Sequence, residues 1–201
     1  MPPRISVVLA FIATFALAAC GAASSQPPVE DAPLYGSALT GEYDLVDSRG
    51  EKVTDETFDG RYQMIYFGYA YCPNVCPFDV DRMMRGYEQF ADAEPDLAAE
   101  VQPIFITVDP ERDTPERVGQ FAAAFSDDLI GLTGTPEQIE AAAAAFFFTH
   151  QRVDPISPDA EYDIQHPSIG YLLDRDGNPM ATIPVEQSPE AVAAELQKWV
   201  R

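Results

Sequence analysis

A chain of 201 residues in which 33 Asp and Glu outnumber 12 Lys and Arg carries a formal net charge of −21. Such an acidic surface argues against nucleic acid and against anionic lipid headgroups as partners, and its simplest use is solubility. The length suits one domain with a single core behind an N-terminal leader, and no internal repeat is visible.

Arg4, an apolar stretch over 5–16 and the small residues Leu17-Ala18-Ala19 before Cys20 predict a signal peptide over residues 1–19. The apolar stretch is too short to cross a bilayer comfortably. Leu-Ala-Ala-Cys resembles the bacterial lipoprotein box. That resemblance implies cleavage before Cys20, acylation of its sulfur, and a lipid-anchored chain facing the periplasm of a bacterial envelope, with the inner membrane as the expected surface. Export would leave the other two cysteines where thiols oxidise readily, so an extracytoplasmic reductant is an expected partner. Residues 20–38, rich in small residues and proline, read as a flexible tether, and 39–201 as the folded domain.

Within that domain, 41–46 and 52–54 flank the turn Asp47-Ser48-Arg49-Gly50 and predict a small β-hairpin. Residues 63–69 are almost continuously apolar and aromatic, as a strand buried on both faces should be. Apolar residues then recur at helical spacing over 78–90 through Val80, Met83, Met84 and Tyr87, and 101–108 reads as a second buried strand. Thr114-Pro115-Glu116 and Thr135-Pro136-Glu137 each supply an N-cap, a first-turn proline and an acid, opening helices to about 125 and 146 with a short strand at 129–132 between them. A strand over 170–174, the turn 175–178, a strand over 180–183 and a helix over 189–200 capped by Ser188 complete the chain. This order predicts an α/β thioredoxin-like fold with an inserted helix and strand and an N-terminal β-hairpin.

Cys72 and Cys76 sit between the first buried strand and the helix after it. Thiols there are expected to reach solvent, with the amides at the start of the helix favouring the thiolate, so the pair can bind a soft metal or cycle between dithiol and disulfide. The three intervening residues open a wider bite than the C-x-x-C spacing usual in disulfide exchange. Two thiolates suit Cu(I), but two ligands alone would leave a site labile and poorly discriminating against zinc, so a third is wanted. His166, just before the strand at 170–174, lies in a loop that a thioredoxin-like sheet would turn toward the cysteines, whereas His150 has no such placement. The methionines form no M-x-x-M run, and Met83 and Met84 read as core or rim.

YFGYAYCPNVCP (66–77), VDPERDTPE (108–116) and the His166 loop followed by YLLDRDGN (171–178) resemble, in order, the Sco/SenC family of thioredoxin-fold copper proteins of respiratory membranes. The resemblance implies copper, as Cu(I) with Cu(II) as a further state, bound by Cys72, Cys76 and His166. It also implies a metallochaperone role at the copper-site subunit of cytochrome c oxidase during assembly of its dinuclear centre. The alternative is a thiol-disulfide oxidoreductase, an enzyme that reduces cysteines of a membrane-exposed partner with Cys72 attacking and Cys76 resolving. Asn74 and Gln165 stand where the family usually carries aspartates, which would remove negative charge around the metal. Asp109 and Asp113 are open to two readings, outer-sphere hydrogen bonding or turn and cap residues.

Overall fold

The computed structural model describes residues 26–156 and 160–201; the expected leader, Cys20 and its acylation lie outside the described residues. The described elements are β1 (Asp44–Val46), β2 (Lys52–Thr54), β3 (Tyr62–Gly68), α1 (Val75–Ala93), α2 (Pro95–Ala98), β4 (Val101–Thr107), α3 (Pro115–Ala123), β5 (Ile130–Leu132), α4 (Pro136–Ala145), β6 (Gln151–Val153), β7 (Asp163–Gln165), β8 (Gly170–Leu173), β9 (Pro179–Ile183) and α5 (Pro189–Trp199).

The central sheet runs β5-β4-β3-β8-β9. β3, β4 and β5 are parallel, and β8 and β9 join antiparallel. Every residue of β3 and β4 is buried, as expected for strands covered on both faces. The expected helix starts hold: Thr114, Thr135 and Ser188 accept the amide protons of Arg117, Gln138 and Ala191 at 3.3 Å, each just before a first-turn proline. Met83 and Met84 are core residues.

α1 and α5 touch at Gly86, where an added Cβ would lie 2.5 Å from Val192 Cβ and 2.7 Å from the Pro189 carbonyl. Only a glycine allows that approach. At the end of α4 the rings of Phe146 and Phe148 pack on Phe67 with centroids 5.1 and 4.8 Å away, fastening the chain to β3. Phe147 between them has φ 51° and turns the chain into β6.

Two features depart from expectation. Residues 26–38, read as tether, lie along the domain from residue 26: Ala32 is buried, the Leu34 amide donates to the Met180 carbonyl at 2.8 Å, and Gln26 donates to the carbonyls of Gln197 and Val200. A short 3-10 turn, Val29–Asp31, gives this stretch local order that its small-residue composition hides. Second, the segment before β8 is not a plain loop. β6 and β7 form an antiparallel ladder, Gln151↔Gln165 to Val153↔Asp163, that shares no pairing with the central sheet. His166 follows this arm directly. Among the described residues no helix is long and apolar enough to cross a membrane.

Candidate metal centre

β3 ends at Gly68, and the chain crosses Tyr69–Tyr71 to Cys72, whose amide donates to the Tyr69 carbonyl at 3.2 Å. α1 begins at Val75, so Cys72 precedes the helix and Cys76 is its second residue. The turn between them folds the Cys76 amide onto Cys72 Sγ at 3.3 Å. Far along the chain, His166 completes the group: its Nε2 lies 3.2 Å from Cys76 Sγ. Its Nδ1 lies 3.0 Å from the Pro167 carbonyl oxygen. A carbonyl only accepts, so Nδ1 carries the proton and Nε2 presents its lone pair to the sulfur, the tautomer a metal ligand needs.

The thiols are less accessible than the sequence suggests. Cys72 is 9 % exposed and Cys76 0 %, both with free sulfurs. Cys76 is covered because Gly68 lets the strand come close: a Cβ there would meet Cys76 Sγ at 3.2 Å and Tyr66 Cε1 at 2.7 Å. Rings of Tyr66, Tyr69 and Phe148, with centroids 5.9 to 6.3 Å from that of His166, surround the imidazole. One side opens into a depression of about 430 Å³ bordered by Cys72, Val75, Ile156 and His166.

The two thiols differ in electrostatics. A hydrogen bond from the Cys76 thiol, helped by the backbone amides of Cys76 and Asn74, lowers Cys72 to about 5 against the burial that opposes it. Burial, then the facing Cys72 sulfur, pushes the Cys76 thiol well above the usual thiol range. Burial also raises the hydroxyls of Tyr66 and Tyr69. Tyr66 donates to the buried Asp79 at 3.0 Å, which Arg82 pairs at 3.0 Å.

The three donors form a chain with Cys76 in the middle. Among the described residues no three Cys, His, Asp or Glu side chains are gathered closely enough to hold an ion as they stand. With bonds near 2.3 Å to sulfur and 2.0 Å to nitrogen, an ion between them needs a sulfur–nitrogen gap of roughly 3.5–3.7 Å. The observed contact is a few tenths of an ångström tighter, so a small retreat of the imidazole admits an ion. Two thiols and an imidazole are the donors of a soft or borderline metal.

Neither motif aspartate touches a sulfur. Asp113 Oδ2 accepts from the Ala70 amide at 2.7 Å and from the Thr107 hydroxyl at 2.6 Å, and Asp109 pairs with Arg112 and Tyr162. Asn74 precedes α1 without a side-chain cap bond, and Gln165 is exposed, accepting from Gln151 at 3.2 Å. His150 contacts Glu140 at 3.2 Å and shares a surface depression with His166. Its proximity follows from the β6–β7 register and was not visible in its sequence neighbours.

The protein-family model for SCO1/SenC matches residues 31–201. The human mitochondrial protein SCO1 homolog is 33% identical over 165 residues, which are 81% of this chain and 53% of the relative. A copper-bound ScoI from Bradyrhizobium japonicum is similar at 33% identity and TM-score 0.66, covering 81% of this chain and 100% of that one. A copper-bound ScoI from Arabidopsis thaliana matches at 27% identity and TM-score 0.75, covering 81% and 98%. The chain spans about half the length of the curated relatives it matches. The fold is thioredoxin-like, and the chain belongs to the SCO1/SenC family.

Proposed function

We propose that the chain carries copper, bound by Cys72, Cys76 and His166, and supplies it to the copper-site subunit of cytochrome c oxidase. In the same reading, a lipid on Cys20 holds the domain at a periplasmic membrane surface. The contact of His166 Nε2 with Cys76 Sγ carries the reading, because it supplies the third donor that copper held by two thiols lacks, whereas disulfide exchange has no obligatory need of an imidazole. Copper-bound relatives of the same fold add support. Tyr71, Val75, Phe78 and Ile156 are exposed apolar side chains near the cysteines, a surface suited to a partner that approaches the site. Two soft sulfurs hold Cu(I) well, and ligand exchange with a partner's thiols then moves it on.

Anaerobic titration of the reduced protein with Cu(I) against a competing chelator tests this. One tightly held equivalent is expected, and His166→Ala should lose that tight hold, keeping only weaker binding by the two sulfurs, while much of the dithiol's reducing activity remains. Undiminished affinity in that variant would refute the ligand assignment, and a preference for zinc would overturn the copper reading.

A second reading is favoured by the opposite displacement of the two thiols: the chain reduces a partner's disulfide. Cys72 thiolate attacks one partner sulfur and expels the other as thiolate. Cys76 passes its proton to the expelled partner thiolate and attacks Cys72 Sγ, releasing the partner sulfur that was held in the mixed disulfide. Two electrons pass to the partner, and the resulting Cys72–Cys76 disulfide is reopened by an extracytoplasmic reductant.

A further inference from the structure

The motif at 108–116 supplies neither a sulfur ligand nor a contact to one, yet it makes the densest polar attachment of the arm that ends at His166. Arg112 pairs through Nε with the buried Asp109 and donates to the Tyr162 carbonyl at 2.9 Å. Its guanidinium faces the Tyr162 ring at 3.7 Å from the centroid, while the Tyr162 hydroxyl donates to Asp109 at 2.7 Å. Arg152 covers the same ring at 4.1 Å and is itself paired with Glu111 at 2.5 Å. Tyr162 thus has two guanidinium groups packed on its ring one residue before β7.

The same Arg112 group faces Tyr69 and Tyr71, 5.6 and 5.4 Å from their centroids, on the loop that delivers Cys72. Tyr69 in turn meets Asp163 at 3.3 Å and the Ile164 amide at 3.4 Å. One nitrogen of Arg112 is buried without a hydrogen-bond partner. An ion pair with its carboxylate buried, its guanidinium partly exposed and one donor unsatisfied is a poor source of stability, and the best-attested return for such a pair is to fix one arrangement over others.

We propose that Arg112 and Tyr162 form a latch, positioning residues that hold the β6–β7 arm against the Cys72 loop and thereby set how far the His166 imidazole stands from Cys76. This rests on the copper reading above. The imidazole must retreat slightly to admit an ion and then stay within bonding reach of it, and among the described residues the arm has no ladder to the central sheet to govern that movement. The latch governs it. Loosening it lets the third ligand leave more often while both sulfurs stay in place.

The test is Cu(I) release from the reduced, singly loaded protein to excess chelator, followed in time for wild type, Tyr162→Ala, Tyr162→Phe, His166→Ala and the two double variants. Tyr162→Ala is expected to release copper about tenfold faster, the low end for supports behind a metal ligand. Tyr162→Phe keeps the packed ring, loses the Asp109 bond, and is expected to give a smaller acceleration. Neither change should add to His166→Ala, because the latch acts through the imidazole. Equal acceleration with and without His166 overturns the latch, as does no acceleration in Tyr162→Ala. In the metal-free protein, hydrogen exchange at the Ile164 amide should quicken in Tyr162→Ala, and unchanged exchange also overturns the proposal. If His166→Ala alone releases copper no faster than wild type, the ligand assignment fails, by a comparison in which Tyr162 plays no part, and the latch falls with it.

Discussion

Asp113 reaches across 43 residues of sequence to accept the Ala70 amide proton at 2.7 Å, tying the motif after β4 to the loop that presents the first cysteine. The same oxygen takes the Thr107 hydroxyl, and the other carboxyl oxygen is buried without a partner. Burial pushes the Asp113 carboxyl up, against the Thr107 and Ala70 hydrogen bonds, which favour its charged form. Asp113→Ala should cost about 1–3 kcal/mol by stranding the Ala70 amide. Denaturant unfolding measures this, and a variant as stable as wild type would show that the bond is dispensable.

The lowered Cys72 predicts a pH profile. Alkylation of Cys72 should stay fast from neutral pH down and fall only near pH 5, while Cys76 reacts slowly throughout. For stability the sign is that of a depressed acid. The thiolate's contribution is complete above the unfolded thiol's value of about 8.5 and is lost as pH falls through about 5. Mass-resolved alkylation of the intact dithiol protein, with the label located at each cysteine, checks the ordering, and equal rates for the two thiols would contradict it. Cys76→Ala should raise the Cys72 midpoint, because the hydrogen bond from the Cys76 thiol is the first cause of the lowering.

Gly68→Ala should damage the site and the fold together. The new methyl would press on Tyr66 Cε1 at 2.7 Å and on Cys76 Sγ at 3.2 Å, and overpacking of this kind costs about 1–3 kcal/mol. Copper affinity should fall with it, since the displaced sulfur is the middle donor of the three. Unaltered affinity would mean that the sulfur has room to give way.

Gly86→Ala separates stability from binding. Its methyl would strike Val192 at the contact of α1 with α5, and a loss of about 1–3 kcal/mol lowers Tm by several degrees in a domain of this size. Cys72, Cys76 and His166 are untouched, so on the copper reading proposed above the variant should bind as much metal per chain as wild type. Thermal unfolding with a parallel metal titration decides this, and a wild-type Tm would show that the helices separate at little cost.

Much of this arrangement was legible in the sequence. Thr114, Thr135 and Ser188, each before a proline, announced three helix starts, and the unbroken apolar runs announced β3 and β4. The approach of His166 to Cys76 followed once its place before β8 was recognised. The β6–β7 ladder was not legible. Each strand is three residues long, Gln151-Arg152-Val153 shows no clear alternation, and residues 154–162 part it from its partner. The burial of Cys76 was hidden for a related reason, since it depends on His166 and Tyr66 meeting over the sulfur. The role of Arg112 was not legible because Tyr162, which gives it that role, lies fifty residues on.

The imidazole is delivered by an appendage whose backbone pairing is independent of the five strands beneath it. Changes of length confined to that appendage would therefore shift the imidazole against the thiol pair without breaking a backbone rung of the sheet, and only side-chain contacts, chiefly those of Arg112 and Tyr69, would carry the change inward.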